Sequence, residues 1–114
     1  MAERLDRTDP AVAAALGRHA ARDEVGRLLL YRSAWLAAQG GLPLVEGSMS
    51  KLFQSEWFTA MASELLDLAG PDSTAPGHLE HAFRHSTVTT IYGGSSEVQR
   101  GIIAERGLGL PRSR

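Results

Sequence analysis

The sequence has 114 residues, enough for one modest domain, and its apolar fraction of 43% and charged fraction of 22% are ordinary for a globular protein. Its net charge of −1 gives no electrostatic footprint for nucleic acid or an anionic membrane. Cysteine is missing, which excludes disulfides, thiolate metal sites and cysteine nucleophiles. No apolar run approaches the roughly 20 residues that span a bilayer, and residues 1–9 are charged rather than apolar. We therefore expect a cytoplasmic chain.

The first predicted helix begins at Pro10, because Thr8-Asp9 offers a side chain that can cap the helix and proline is favoured as the first helical residue. It runs to about Gln39, where Gly40-Gly41 suits a helix end. Residues 1–8, which precede it, are expected to be disordered.

Three further helices follow. The second spans about 44–69 and is apolar over a wide arc, as is typical of a helix that is central in a bundle or buried in an interface. The third spans about 78–91. The fourth begins at Ser95 or Ser96 and reaches about Arg106, and Ser96 and Gln99 have the Ser-x-x-Gln spacing of a capping box.

The predicted fold is all-α, an up-down bundle of three or four helices in one domain over residues 1–114. Two long helices, one of them apolar on several sides, are hard to cover with two short ones. We therefore expect oligomerisation, or a partner chain, to supply the missing helices.

The segment best suited to bind a ligand is Ile91-Tyr92-Gly93-Gly94-Ser95-Ser96-Glu97. Two glycines let another backbone or a flat ligand approach closely. The helix start that follows offers unpaired N–H groups and the positive end of the helix dipole, which favour an anion such as a phosphate. Local features alone favour a plain corner between two helices with a good cap.

Residues 91–112, from Ile91-Tyr92-Gly93-Gly94 through Glu105-Arg106 to Leu110-Pro111-Arg112, closely resemble the C-terminal signature of bacterial acyl-CoA dehydrogenases. The resemblance extends more loosely over almost the whole chain. It implies the C-terminal helical domain of an FAD-dependent flavoprotein, an oxidoreductase of fatty-acid β-oxidation and lipid metabolism that converts an acyl-CoA thioester to its 2,3-enoyl form. Such enzymes use a carboxylate base and hold the flavin between subunits.

The resemblance also assigns roles to single residues. Ser95, Ser96 and Glu97 match family positions at the FAD, and Asp67 stands where many members have a cofactor-contacting glutamine. Gly94 lines the approach to the acyl thioester. Gly93 occupies the position of the catalytic glutamate in several members, so no catalytic residue is predicted in this chain.

Two functions remain open on these grounds. In the first, the chain is the C-terminal domain or a short subunit of an acyl-CoA dehydrogenase, inactive alone, with a homo-oligomer or a larger dehydrogenase subunit as its partner. In the second, it is a non-catalytic helical module for dimerisation or assembly, derived from that domain. Neither involves nucleic acid or a membrane.

Other constellations point to structure rather than chemistry. His78, His81 and His85 are spaced to share a helix face, and His81 and His85 have a metal-chelating spacing, but a solvated face is favoured and no metal site is predicted. His19 stands alone beside arginine and is predicted to be exposed. Five aromatic residues at helical spacings are predicted to be core: Trp35, Phe53, Trp57, Phe58 and Phe83.

Overall fold

The computed structural model of the chain describes residues 5–112, with the side chain of Asp72 left aside, and within that range it is all-α with no strand. A short 3₁₀ turn lies between the second and third helices, and a π-helical turn continues the fourth. The predicted fold class is confirmed. The four helices are α1 (Pro10–Ala38), α2 (Leu44–Leu68), α3 (His78–Thr89) and α4 (Ser96–Ile102).

The first helix begins and ends where local chemistry predicts. The side chain of Asp9 accepts a hydrogen bond of 2.7 Å from the amide of Ala11, and Pro10 needs no hydrogen-bond partner as the first helical residue. At the other end Gly40 has a φ of +80°, a left-handed conformation that favours glycine.

Cross-helix pairs show that α2 runs antiparallel to α1. His19 meets Glu64, Gly26 meets Gln54, and Arg32 meets Glu46, so the sequence number falls along α2 as it rises along α1. A Cβ at Gly26 would lie 3.2 Å from Cγ of Gln54, so the glycine permits the close approach of the two backbones.

The third helix returns along the other side of α2. The hydroxyl of Thr59 donates to the carbonyl of Ser86 at 3.1 Å and Lys51 reaches Gly94, so the sequence number falls along α2 as it rises from α3 into the turn. The fourth helix packs on the same helix α2, with Arg100 paired to Glu56 at 2.6 Å. Among the described residues α1 and α3 both pack against α2 but not against each other. The arrangement is therefore up and down, with α2 in the centre.

The buried apolar core is small and lies at one end of the bundle. It is formed by Leu5, Val12, Leu65 and Leu79, with partly buried neighbours such as Leu16 and Met61. Residues 5–8, part of the segment expected to be disordered, are described by the structure: Leu5 is only 6% exposed, and Asp6 accepts hydrogen bonds from Thr8. Residues 1–4 lie outside the described residues.

Two predictions about single side chains are wrong. His19 is buried rather than exposed: its ring contacts Glu64 at 2.8 Å and accepts a hydrogen bond from the indole of Trp57 at 3.2 Å. Trp35 is 62% exposed rather than core, and the other four aromatic residues of that prediction are only partly buried. Within residues 5–112 no helix is long and apolar enough to cross a membrane.

Candidate functional site

The double-glycine turn lies between α3 and α4, and both of its glycines adopt left-handed backbone conformations. The φ angles are +68° at Gly93 and +91° at Gly94. Side chains from two other elements bind its carbonyls: the side-chain amide of Gln99 donates to Gly93 at 2.8 Å, and the ammonium of Lys51 donates to Gly94 at 2.6 Å. The turn is thus tied to α4 and α2.

The amide groups of the same turn are free of internal partners. Within the described part of the chain, the N–H groups of Gly93, Gly94 and Ser95 donate to no acceptor, whereas that of Ser96 donates to the carbonyl of Thr90 at 3.0 Å. Three consecutive backbone donors are therefore available to a ligand with hydrogen-bond acceptors.

The start of α4 differs by one residue from the predicted capping box. Ser95, not Ser96, is the N-cap, and its hydroxyl accepts from the amide of Val98 at 3.4 Å. Gln99 bonds back to Gly93 instead of closing a box with Ser96. Hydrogen bonds from its own amide and from Ser95 lower the pKa of Glu97, whose carboxylate is exposed and charged at neutral pH.

Ser96 points into the protein. The residue is 8% exposed, and its hydroxyl is buried without a hydrogen-bond partner. Because a buried unpaired hydroxyl costs stability, this group stands out among the side chains of the turn. Ser95 is half-buried and Glu97 is exposed, so the three residues to which the resemblance assigns a common role differ in their access to a ligand.

Asp67 is distant from the turn. It lies near the end of α2 and follows Lys51 by 16 residues on the same helix, which is about 24 Å at the usual helical rise. Since Lys51 touches Gly94, one copy of the chain does not bring Asp67 and Ser95 together.

A cleft of about 500 Å³ opens beside the turn, between α1 on one side and α3 on the other, with α2 as its floor. Lys51 brings a charged group into this otherwise mainly apolar lining, and Tyr92 closes the end next to the glycines. Other lining residues include Leu30, Gln54, Trp57 and Phe58.

Gly93 itself carries no carboxylate, and the one nearest to it in sequence is that of Glu97 at the start of α4. The carboxylate of Glu56, on the neighbouring face of α2, forms an ion pair with Arg100. The histidines of α3 lie on one exposed face: the rings of His81 and His85 stack with centroids 6.3 Å apart. In residues 5–112, no group of three or more His, Asp and Glu side chains is placed to hold a metal.

A family model described as "Acyl-CoA dehydrogenase, C-terminal domain" matches residues 4–108. The chain belongs to this family. Similar curated proteins include acyl-CoA dehydrogenase IpdE1 of Mycobacterium tuberculosis, 40% identical over 90 residues, which make up 71% of this chain and 23% of that protein. The human mitochondrial short-chain specific acyl-CoA dehydrogenase is 35% identical over 82 residues, 71% of this chain and 20% of that protein.

Solved structures of the family share the fold. The "Tcur3481-Tcur3483 steroid ACAD" superposes with a TM-score of 0.85 and 26% identity over 94% of this chain and 30% of that one. The ChsE4-ChsE5 complex from Mycobacterium tuberculosis gives a TM-score of 0.80 and 28% identity over 94% of this chain and 29% of that one. The acyl-CoA dehydrogenase C-terminal domain described here thus spans less than a third of each of these relatives.

Sequence reasoning did not find the part that Lys51 and Gln99 play at the turn. A signal was present, because Lys51 is the single lysine of the chain and Gln99 lies six residues after Gly93. Neither observation predicts the contact between Lys51 and the carbonyl of Gly94, because these residues are 43 positions apart in the sequence.

Proposed function

We propose that this domain forms part of an FAD-dependent acyl-CoA dehydrogenase and presents the turn at Gly93-Gly94 to the acyl thioester. The observation that carries the proposal is the turn itself: three unpaired backbone amides, on two glycines and a serine, beside an open cleft. Membership of the acyl-CoA dehydrogenase C-terminal domain family supplies the reaction class. Within that class we propose lipid metabolism as the setting and the cytoplasm as the compartment.

In this reaction a carboxylate base removes the proton from the α-carbon, and the β-hydrogen leaves with its electron pair as hydride while the carbon–carbon double bond forms. The flavin, when bound, supplies the acceptor for that hydride. The residues of this chain orient the substrate: the unpaired amides of the glycine turn donate to the thioester carbonyl, whose oxygen gains negative charge as the proton leaves.

The base comes from elsewhere in the assembly. Gly93 has no side chain to accept a proton, and Glu56 is held in its pair with Arg100. We therefore propose that a larger acyl-CoA dehydrogenase chain is the catalytic partner. Two structural relatives support this assembly. One is named the ChsE4-ChsE5 complex, and the name of the other, Tcur3481-Tcur3483, contains two protein names.

The carboxylate of Glu97 and the amide of Ser95, at the start of α4, fit one part of the cofactor. The carboxylate of Glu97 accepts hydrogen bonds from hydroxyl or amino groups and repels phosphate, so it suits a ribose or adenine group. Ser95 offers its unpaired amide. Ser96 would contribute only through a rearrangement of its buried hydroxyl, and Asp67 only at a different part of the cofactor or from a second copy.

Titration of the purified chain with FAD, alone and mixed with a co-purifying larger subunit, tests the proposal through flavin absorption and fluorescence. Glu97→Ala removes the carboxylate and is expected to weaken FAD binding about tenfold, the usual effect of losing one hydrogen bond to a charged group. Asp23→Ala removes an exposed carboxylate from α1 and should leave the affinity unchanged.

If neither the chain nor its complex binds FAD, the second function is favoured, an assembly module without a cofactor. One observation speaks for that alternative. Large apolar side chains are exposed along α1, including Leu28, Tyr31 and Trp35 at more than half of their accessible surface. A surface of this kind is suited to binding another helix.

A further inference from the structure

Two adjacent glycines do not by themselves hold their hydrogen-bond donors in a fixed direction. Glycine has no Cβ to restrict its backbone, so the peptide units on either side of Gly94 can rotate at little steric cost. A rotation of one peptide unit by half a turn would present a carbonyl oxygen where an N–H is needed. Something other than the glycines themselves must hold the two peptide planes.

The structure contains one holding group for each plane. A peptide unit is planar and trans, so its C=O and N–H point in opposite directions. Gln99 binds the carbonyl of Gly93, which turns the N–H of Gly94 away from Gln99. Lys51 binds the carbonyl of Gly94, which likewise turns the N–H of Ser95 away from α2. Both of these N–H groups are unpaired within the described residues.

The two holding groups are anchored in the fold. Gln99 is 7% exposed, so its amide has little freedom to leave Gly93. Lys51 is half-buried along the cleft, and its stem runs beside Gly93, where an added Cβ would lie 3.9 Å from Cε of the lysine. No carboxylate in residues 5–112 forms a salt bridge with Lys51. Its ammonium binds the turn directly, and its charge is the smallest of the effects that lower the pKa of Glu97.

We propose that Lys51 and Gln99 are positioning residues, which fix the outward direction of the Gly94 and Ser95 amides. Lys51 has a second effect, because a cation on the carbonyl of Gly94 polarises the whole peptide unit and makes the N–H of Ser95 a stronger donor. The use of these donors for thioester and flavin rests on the proposed function, whereas the hydrogen bonds that orient them do not.

The test compares Lys51→Met, which keeps the apolar stem and removes the ammonium, with Lys51→Arg, which keeps a cationic donor. In the full-length chain labelled with ¹³C and ¹⁵N, Lys51→Met should shift the carbonyl ¹³C resonance of Gly94 and the amide resonances of Ser95. It should also weaken FAD binding about tenfold, as expected for a lost charged hydrogen bond, and Lys51→Arg should restore most of both. Arg22→Met removes an exposed cation from α1 and serves as the control.

Unchanged resonances at Gly94 and Ser95 in Lys51→Met would overturn the proposal, as would wild-type FAD affinity in a variant whose resonances had moved. If wild-type protein fails to bind FAD while the resonances move as expected, the proposed function falls and the orienting contacts stand. Should Lys51→Met lose its helical circular dichroism, Gln99→Glu provides the second route. Its carboxylate cannot donate to Gly93, so the carbonyl resonance of Gly93 must move if the proposal is right.

Discussion

Two hydrogen bonds determine which ring nitrogen of His19 is the acceptor. The indole N–H of Trp57 can only donate, so Nδ1 of His19 is the acceptor of that 3.2 Å bond. The hydrogen therefore resides on Nε2, which faces the carboxylate of Glu64 at 2.8 Å. A bond from Arg18, with a smaller effect of His19, lowers the pKa of Glu64, so the acceptor remains ionised at neutral pH. One buried imidazole thus joins α1 to α2.

We predict that His19→Ala lowers the free energy of unfolding by about 2 kcal/mol, because it leaves the Trp57 N–H without a protein partner and opens a gap beside the core. Chemical denaturation followed by circular dichroism gives the value. His78→Ala, at an exposed position of α3, is the control and should change stability by less than about 0.5 kcal/mol. Equal effects of the two substitutions would show that His19 does not join the helices.

The sequence predicted His19 to be exposed because it stands alone and is flanked by arginines. Its partners Trp57 and Glu64 lie 38 and 45 residues away, and no local pattern reports a pairing over that separation. Asp9 and Pro10, in contrast, were identified correctly because a helix start depends on residues within one turn of it. Single-residue predictions hold where the determining contact is local.

At the scale of elements, the same distinction explains the start of α4. Two adjacent serines can each cap a helix, and spacing alone favoured Ser96 because of Gln99. The positive φ angles of Gly93 and Gly94 instead bring Ser95 into the extended conformation of an N-cap, with φ −62° and ψ 163°. Helix existence and order were predictable from composition and periodicity, whereas the position of the cap depends on the turn before it.

Two glycine substitutions should act in opposite directions. At Gly94 an alanine would combine a φ of +91° with a Cβ only 2.5 Å from the side-chain nitrogen of Gln99, so we predict a loss of about 1–3 kcal/mol of stability. At Gly17, inside α1, no atom lies within 4 Å of the added Cβ, so Gly17→Ala should gain up to about 1 kcal/mol.

Thermal and urea unfolding of both variants against wild type measure the two changes. A stabilised Gly94→Ala protein would mean that the turn does not hold the left-handed conformation in solution. A destabilised Gly17→Ala protein would mean that this face of α1 is covered by something outside residues 5–112.

For the whole molecule, dimensions and burial agree that the bundle is incomplete. The radius of gyration is 16.8 Å, against about 13 Å for a compact domain of this length. Among the described residues only six apolar residues are buried, fewer than the nine buried polar ones, and α1 and α3 leave the cleft between them open. The sequence predicted this shortfall from the width of the apolar arc on α2, but not which surface would remain uncovered.

The uncovered surface lies largely on α1, and it supports the last prediction. Leu28, Tyr31 and Trp35 are each exposed by more than half, at spacings of three and four residues that place them on one side of the helix. When a second helix packs on such a row, the apolar side chains leave water, and this burial contributes a favourable free energy of roughly 25 cal/mol per Å² of apolar area. We therefore expect the purified chain to self-associate when no larger partner is present.

Sedimentation velocity over a concentration series measures this association. Trp35→Glu places a charge at the most exposed residue of the apolar row and is expected to raise the dissociation constant at least about tenfold, because burying an unpaired carboxylate opposes the contact. Ala37→Glu adds the same charge at an exposed position on the opposite side of α1 and should leave the association unchanged. A wild-type chain that stays monomeric throughout would contradict the expectation of a homo-oligomer. The row on α1 would then require a different chain, and the larger dehydrogenase subunit proposed as the source of the catalytic base is the one to test.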